Sequence, residues 1–255
     1  MAEAAIPEPD RAEGCPHPRE TRLRFGQGPA EAAYLQSVAA GRLHHAWALT
    51  GPAGIGKATL AWAMARHLAA GGRAPDLPTD PDSAIYRRSL QLAEPAIALV
   101  RRAWDDKAKR LKTQIGVEEI RKLQGHFTLS AADGGWRVAI IDAADEMTVA
   151  AANALLKQLE EPPRRAVLLL VCHRPAGLLP TIRSRCRTLP VPPLGSSDLM
   201  AALAALDRAV PDDPLLTPLS AGSVGEAVRL IDGGGLALYR RILALLGAMP
   251  GCDRG

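Results

Sequence analysis

The chain has 255 residues, 47% of them apolar and 23% charged, which leaves room for one large domain or two small ones and excludes a disordered chain, a collagen or a coiled-coil rod. No run approaches the ~18–20 apolar residues that span a bilayer, and the acidic start MAEAAIPEPDRAEG lacks the apolar stretch of a secretory signal. The 31 Lys and Arg against 27 Asp and Glu give a net charge of +4, a mildly basic balance that permits nucleic-acid contact without demanding it.

Residues 1–22 are rich in Pro, Glu and Arg and read as a loose segment. A helix follows, with Ala32, Leu35, Val38 and Ala39 on one face. Ala46 to Thr50 reads as a short buried strand running into GPAGIGK, after which Leu60, Met64 and Leu68 line one face of a helix that stops at Gly71-Gly72. Prolines and aspartates over 73–82 make a loop, Ser83 to Ala93 a helix, and Ala96 to Val100 a second strand. Trp104 to Lys112 is a charged excursion, with a solvated loop favoured over a nucleic-acid contact. Val117 to Phe127 is an amphipathic helix whose Arg121 and Lys122 suit a phosphate backbone.

A turn at Asp133-Gly134-Gly135 precedes a strand from Arg137 to Asp142. A helix over Ala150 to Glu160 is stopped by Pro162-Pro163. Strands Ala166 to Val171 and Thr188 to Val191 complete the set. Apolar strands alternating with helices predict a parallel α/β sheet covered on both faces. Beyond Pro192-Pro193 only small helices are expected, over 198–209, 214–221 and 225–231. After Gly233-Gly234-Gly235 an apolar helix, Leu238 to Leu246, lacks an evident partner. Cys15, Cys172, Cys186 and Cys252 form no Cys-x-x-Cys pair, so neither a zinc ribbon nor a disulfide framework is expected, and a reducing compartment is. His44-His45 is no metal pair, because adjacent residues point apart.

The strongest motif is the phosphate-binding loop Gly51-Pro52-Ala53-Gly54-Ile55-Gly56-Lys57 between a strand and a helix. Its glycines let backbone N–H groups face phosphate oxygens, and the helix N-terminus adds a positive dipole end. Lys57 is placed for the β- and γ-phosphates, but Ala58 stands where Ser or Thr holds Mg²⁺, and Thr59 is about 100° further round the helix. The strand ending in Asp142 reads as the second nucleotide motif, whose Asp supports the Mg²⁺ shell. Mg²⁺ is therefore expected only together with a nucleotide, and ATP binding is weak or absent.

The words AANALLK and LEEPP within 151–163, followed by LLPTIRSRC at 178–186, resemble the clamp-loader branch of AAA+ proteins. GRLHHAWALTGPAGIGKATLA at 41–61 and IGVEEIRKLQ at 115–124 resemble the delta-prime subunits of bacterial DNA polymerase III. The resemblance runs from about residue 24 to about 232. It implies an AAA+ P-loop core over 23–193 with a five-stranded parallel sheet, a small all-α lid over 194–235 and the start of a truncated helical collar over 236–255.

The resemblance also implies a role in DNA replication. The chain is expected to be a cytoplasmic, membrane-free and non-catalytic part of the polymerase holoenzyme, acting as scaffold beside the gamma/tau motor subunits and the delta subunit. Through that complex it meets the sliding clamp and primer-template DNA. Arg185 is the implied arginine finger, acting in trans on a neighbour's ATP; chemistry alone favours a plain surface arginine between Arg183 and Arg187. The catalytic Glu of active members is Ala143 here, and the sensor arginine of motor lids is Gly225. The zinc module of some members is absent from 73–95, and His173 stands in the first sensor region. Two other readings stay open: an independently active P-loop ATPase, against which Ala58, Ala143 and Gly225 speak, and a nucleotide-binding switch without hydrolysis.

Overall fold

Strands that are apolar end to end need cover on both faces, and this chain supplies it from its intervening helices. The computed structural model describes residues 7–128, 134–211 and 213–247. Asp133 of the expected turn, and Cys252, lie outside them. In chain order the elements begin with helix α1 (Gly28–Ala39), strand β1 (Ala46–Thr50), helices α2 (Lys57–Ala69) and α3 (Ala84–Leu90), and strand β2 (Ile97–Val100). A small antiparallel hairpin, β3 (Trp104–Asp105) and β4 (Arg110–Leu111), leads to α4 (Val117–Thr128). Then come β5 (Arg137–Asp142), α5 (Val149–Glu160), β6 (Ala166–Cys172), α6 (Pro180–Arg183) and β7 (Arg187–Pro190).

The five long strands form one parallel sheet in the order β2-β5-β6-β1-β7. Every residue of β6, at its centre, is buried. One face packs on α1 and α2 through Tyr34, Trp47, Leu60, Met64 and Val167, and the other on α4 and α5 through Ile120, Leu123, Leu155 and Leu168. Thr148 caps α5 by accepting from the Ala151 amide at 3.1 Å, and Ser83 caps α3 in the same way.

A second, all-helical unit follows: α7 (Ser196–Ala204), α8 (Leu216–Ser220), α9 (Val224–Asp232) and α10 (Gly235–Gly247). Leu199, Leu203, Leu216, Ala227 and Val228 form its own core. α10 contributes little beyond Leu236, while Leu238 and Leu245 are 59% and 67% exposed.

Three expectations need correction. Strand β7 begins and ends one residue before the expected 188–191. The helix expected over 198–209 stops at Ala204, and Asp207 turns back with φ +52°. Most important, residues 7–22 are not loose. They make a strap with no regular secondary structure, pinned by polar groups rather than by an apolar stripe. The Arg66 guanidinium donates to the Arg19 carbonyl and the Tyr86 hydroxyl to the Glu20 carbonyl. Arg19 donates in turn to the Leu90 carbonyl at 2.9 Å. His17 is fully buried, and Cys15 joins the core of the helical unit.

Candidate functional site

The carboxyl ends of parallel strands make a crevice, and here it holds the sequence motifs. β6 lies between β1 and β5, with Thr50 beside Cys172 and Asp142 beside Val171, so the loop after β1 and the acid ending β5 are brought together. The loop 51–56 needs its glycines. Gly51 has φ +149° and any Cβ there meets the Val191 carbonyl; Gly54 has φ +75° and a Cβ there meets Ser223. Gly56, at φ +90°, opens α2 and leaves its Cβ space to Gln27, whose amide donates to the Ile55 carbonyl at 3.2 Å.

A cleft of about 500 Å³ is lined by Ala53 to Thr59, Asp142, Ala143 and His173 on one side. Strap residues Pro9 to Ala12 and Glu20 to Phe25, with Leu206, Val224 and Gly225 of the helical unit, close the other. Lys57 is almost fully buried, and its ammonium donates to the carbonyls of Gly51, at 2.7 Å, and Pro52. Burial lowers its pKa to about 8, opposed by the charge of Asp142. Asp142 is pushed up to about 7, by burial first and then by Asp10, with Lys57 pulling the other way. The His173 ring lies 4.0 Å from the Asp142 carboxylate. Burial, and then the Lys57 charge, lower its pKa to about 4, so it is neutral at pH 7.

The groups that would serve hydrolysis are committed elsewhere. Asp145 accepts from the His173 amide at 2.8 Å and from Arg174. Glu146 pairs with Arg102 at 3.0 Å. Ala58 offers no oxygen, and Ala143 follows Asp142. At the terminal-phosphate end no hydroxyl follows Lys57 and no carboxylate follows Asp142 directly, a donor set that departs from the one that holds Mg²⁺ and polarises water.

Arg185 is held apart from this cleft, in the link between α6 and β7. Its guanidinium donates to the Thr181 carbonyl at 3.0 Å and pairs with Glu160 at 2.9 Å, with its side chain 38% exposed. Its neighbours differ: Arg187 stacks over the Trp47 ring at 4.8 Å, while Arg183 is exposed. Burial raises the Cys186 thiol to about 12, as suits a packed residue rather than a nucleophile. Arg121 and Lys122 pair with Glu118 and Glu119 on their own helix. His45 faces the Leu159 carbonyl at 3.0 Å, and, contrary to the expectation that the two side chains point apart, its ring stacks on His44 with centroids 4.4 Å apart. Asp10, His17, Arg101 and Gln27 were not foreseen from the sequence; a polar residue between two prolines followed by a charged pair, as in PEPDR and PHPRE, is the hint it carries for the strap.

A family profile described as DNA polymerase III, delta subunit, matches residues 26–195. The DNA polymerase III subunit delta' of Pseudomonas aeruginosa is 38% identical over 216 residues, covering 77% of this chain and 59% of that protein. The DNA polymerase III subunit gamma/tau of Mycobacterium tuberculosis is 32% identical over 234 residues, covering 87% of this chain and 39% of that one. The chain thus spans less than two thirds of the length of either relative. Among solved structures, a mutant form of Thermotoga maritima RuvB superposes with a TM-score of 0.50 at 18% identity, over 88% of this chain and 66% of that one, a likeness of fold.

Proposed function

The chain belongs to the DNA polymerase III delta-prime family of AAA+ clamp-loader subunits, and from that premise we propose that it is a non-hydrolysing scaffold that lends Arg185 to a neighbour's ATP. Its partners on this reading are the gamma/tau and delta subunits, in the cytoplasm, and through them the sliding clamp and primed DNA. Its own cleft binds ATP weakly or not at all, and Mg²⁺ only with it.

One observation carries the proposal: the separation between an ill-fitted cleft and an accessible arginine. Arg185 sits on the outer rim, tethered by Thr181 and Glu160 but more than a third exposed. A guanidinium in that setting keeps its charge and its planar fork, and exchanges one carboxylate partner for phosphate oxygens. The neighbour's γ-phosphate spreads charge over its outer oxygens as the bond to the leaving group breaks. A cation supplied from a second chain stabilises that state.

The test is DNA- and clamp-stimulated ATP hydrolysis by a reconstituted complex. Arg185→Ala lowers the stimulated rate by at least about tenfold, a small part of the ~10³–10⁵ that arginine fingers contribute in GTPases. Arg185→Lys restores only part of it, since a point charge lacks the fork. A rate equal to that of the unmutated complex means that Arg185 is a rim arginine bound to Glu160 and nothing more.

A further inference from the structure

The strap has partners on both sides of the cleft. On the core side, Asp10 is paired with Arg101 at 2.5 Å and with His17 at 3.0 Å, its own carboxylate only 1% exposed. Glu8 holds Arg19 at 2.7 Å and Arg101 at 3.2 Å. Arg101 follows the last residue of β2, and Val100 is level with Ile141 of the adjacent strand, so Arg101 stands level with Asp142. On the helical side, the Gly14 carbonyl accepts from Arg208 at 2.6 Å, and Arg208 also pairs with Asp232 at the end of α9. Gly14 lies against Val228, and Cys15 is buried in the lid core. The two units also meet directly, where the Val224 amide donates to the Gly54 carbonyl at 3.0 Å.

We propose that residues 8–17 are a built-in tie along one wall of the cleft: they join lid to core as a bound nucleotide would, with the Asp10 carboxylate in the cleft lining held by Arg101 and His17. The closed arrangement then stands without any ligand. A triphosphate entering the cleft meets two acids in its lining, Asp10 and Asp142. The inference goes beyond the donation of Arg185 and does not depend on it, since it concerns the isolated chain.

Backbone amide exchange of the full chain, without nucleotide, tests it. In the unmutated protein amides 53–56 and 223–226 exchange slowly, and millimolar MgATP changes their rates by less than about twofold. Asp10→Asn removes the charge that holds Arg101 and His17, and exchange at 223–226 rises by about tenfold or more, while the β6 amides stay unchanged. Asp10→Glu keeps the pair and preserves the slow rates. Should Asp10→Asn also speed β6, and so unfold the core, Arg208→Met decides: it cuts only the lid-side tie and gives the same local rise. Unchanged exchange at 223–226 in Arg208→Met together with Asp10→Asn overturns the proposal. So does strong slowing of these amides by MgATP in the unmutated chain, which would make the nucleotide the true fastening.

Discussion

The two ends of the described chain reverse what their sequences promise. The strap over 7–22 is polar, proline-broken and without regular structure, yet His17 is fully buried and the Asp10 side chain nearly so. α10 is apolar and regularly helical, yet Leu238, Ile242, Leu243, Leu245 and Leu246 are all exposed. The difference lies in partners. α10 meets mainly α9 and, among the described residues, keeps one ion pair, Arg240 with Asp213. The strap meets charged and hydrogen-bonding groups from α2, α3, β2 and the lid, placed in advance by the fold. Periodicity foretells an element; burial depends on what stands opposite.

That comparison breaks most readily at Arg66. Its guanidinium is buried, stacks on Tyr86 at 4.2 Å and bonds Ser89 and the Arg19 carbonyl. Arg66→Ala removes a cavity's worth of packing and leaves those groups unpaired. We expect a loss of about 3 kcal/mol, roughly 10 °C in melting temperature for a chain of this size. A loss below about 1 kcal/mol would mean that the strap is not held as described.

A smaller effect is expected from the Asp10 pair. Burial raises this carboxyl's pKa, but the bond to His17 and the charges of His17 and Arg101 outweigh it, so the value lies below the usual aspartate range. Its contribution is present above the unfolded pKa of about 3.9 and disappears as pH falls through the folded value. Asp10→Asn therefore loosens the strap and lid near neutral pH, by the roughly tenfold rise in local opening given above, and by progressively less as pH falls through the folded value, with the core left as stable as before. Amide exchange at 223–226, corrected for its intrinsic pH dependence, measures it.

Asp142 is the opposite case, an acid raised to about 7 chiefly by burial. Its ionisation opposes folding as pH rises from about 4 to 7. Asp142→Asn is expected to stabilise the isolated chain by about 2 kcal/mol at pH 8, less towards pH 4, after discounting for relaxation of the buried site. The smallest effect is at α10: Leu245→Ser changes stability by no more than about 0.5 kcal/mol, as at an unpacked surface. A cost well above that would show that the helix is packed in solution.

Much of this fold is legible in the sequence because two-sided burial leaves an unbroken apolar run. β5 falls on the residues expected, Arg137 to Asp142, and β6 differs only by taking in Cys172. The lid helices are displaced by a few residues, since some ends there fall at non-glycine residues with positive φ, Asp207 after α7 and Ala221 after α8, which sequence pattern does not mark. The loop 51–57 and Asp142 were legible as motifs. Ala58 and Ala143 are written in the sequence; the bonds of Lys57 to its own loop carbonyls and the place of Asp10 in the cleft lining are not. Those contacts join residues far apart in sequence and leave no period to read. Arg185 was legible as a word, but its tether to Glu160 emerges only once α5 and α6 pack together.

The central claim is that this chain contributes chemically through its rim and not through its cleft. It is tested most directly by placing Lys57→Met and Arg185→Ala, one at a time, in this subunit of a reconstituted complex and measuring DNA- and clamp-stimulated ATP hydrolysis by the motor subunits. The account predicts a near-normal rate for Lys57→Met and a loss of at least about tenfold for Arg185→Ala. The reverse pattern, loss at Lys57 and none at Arg185, would contradict it.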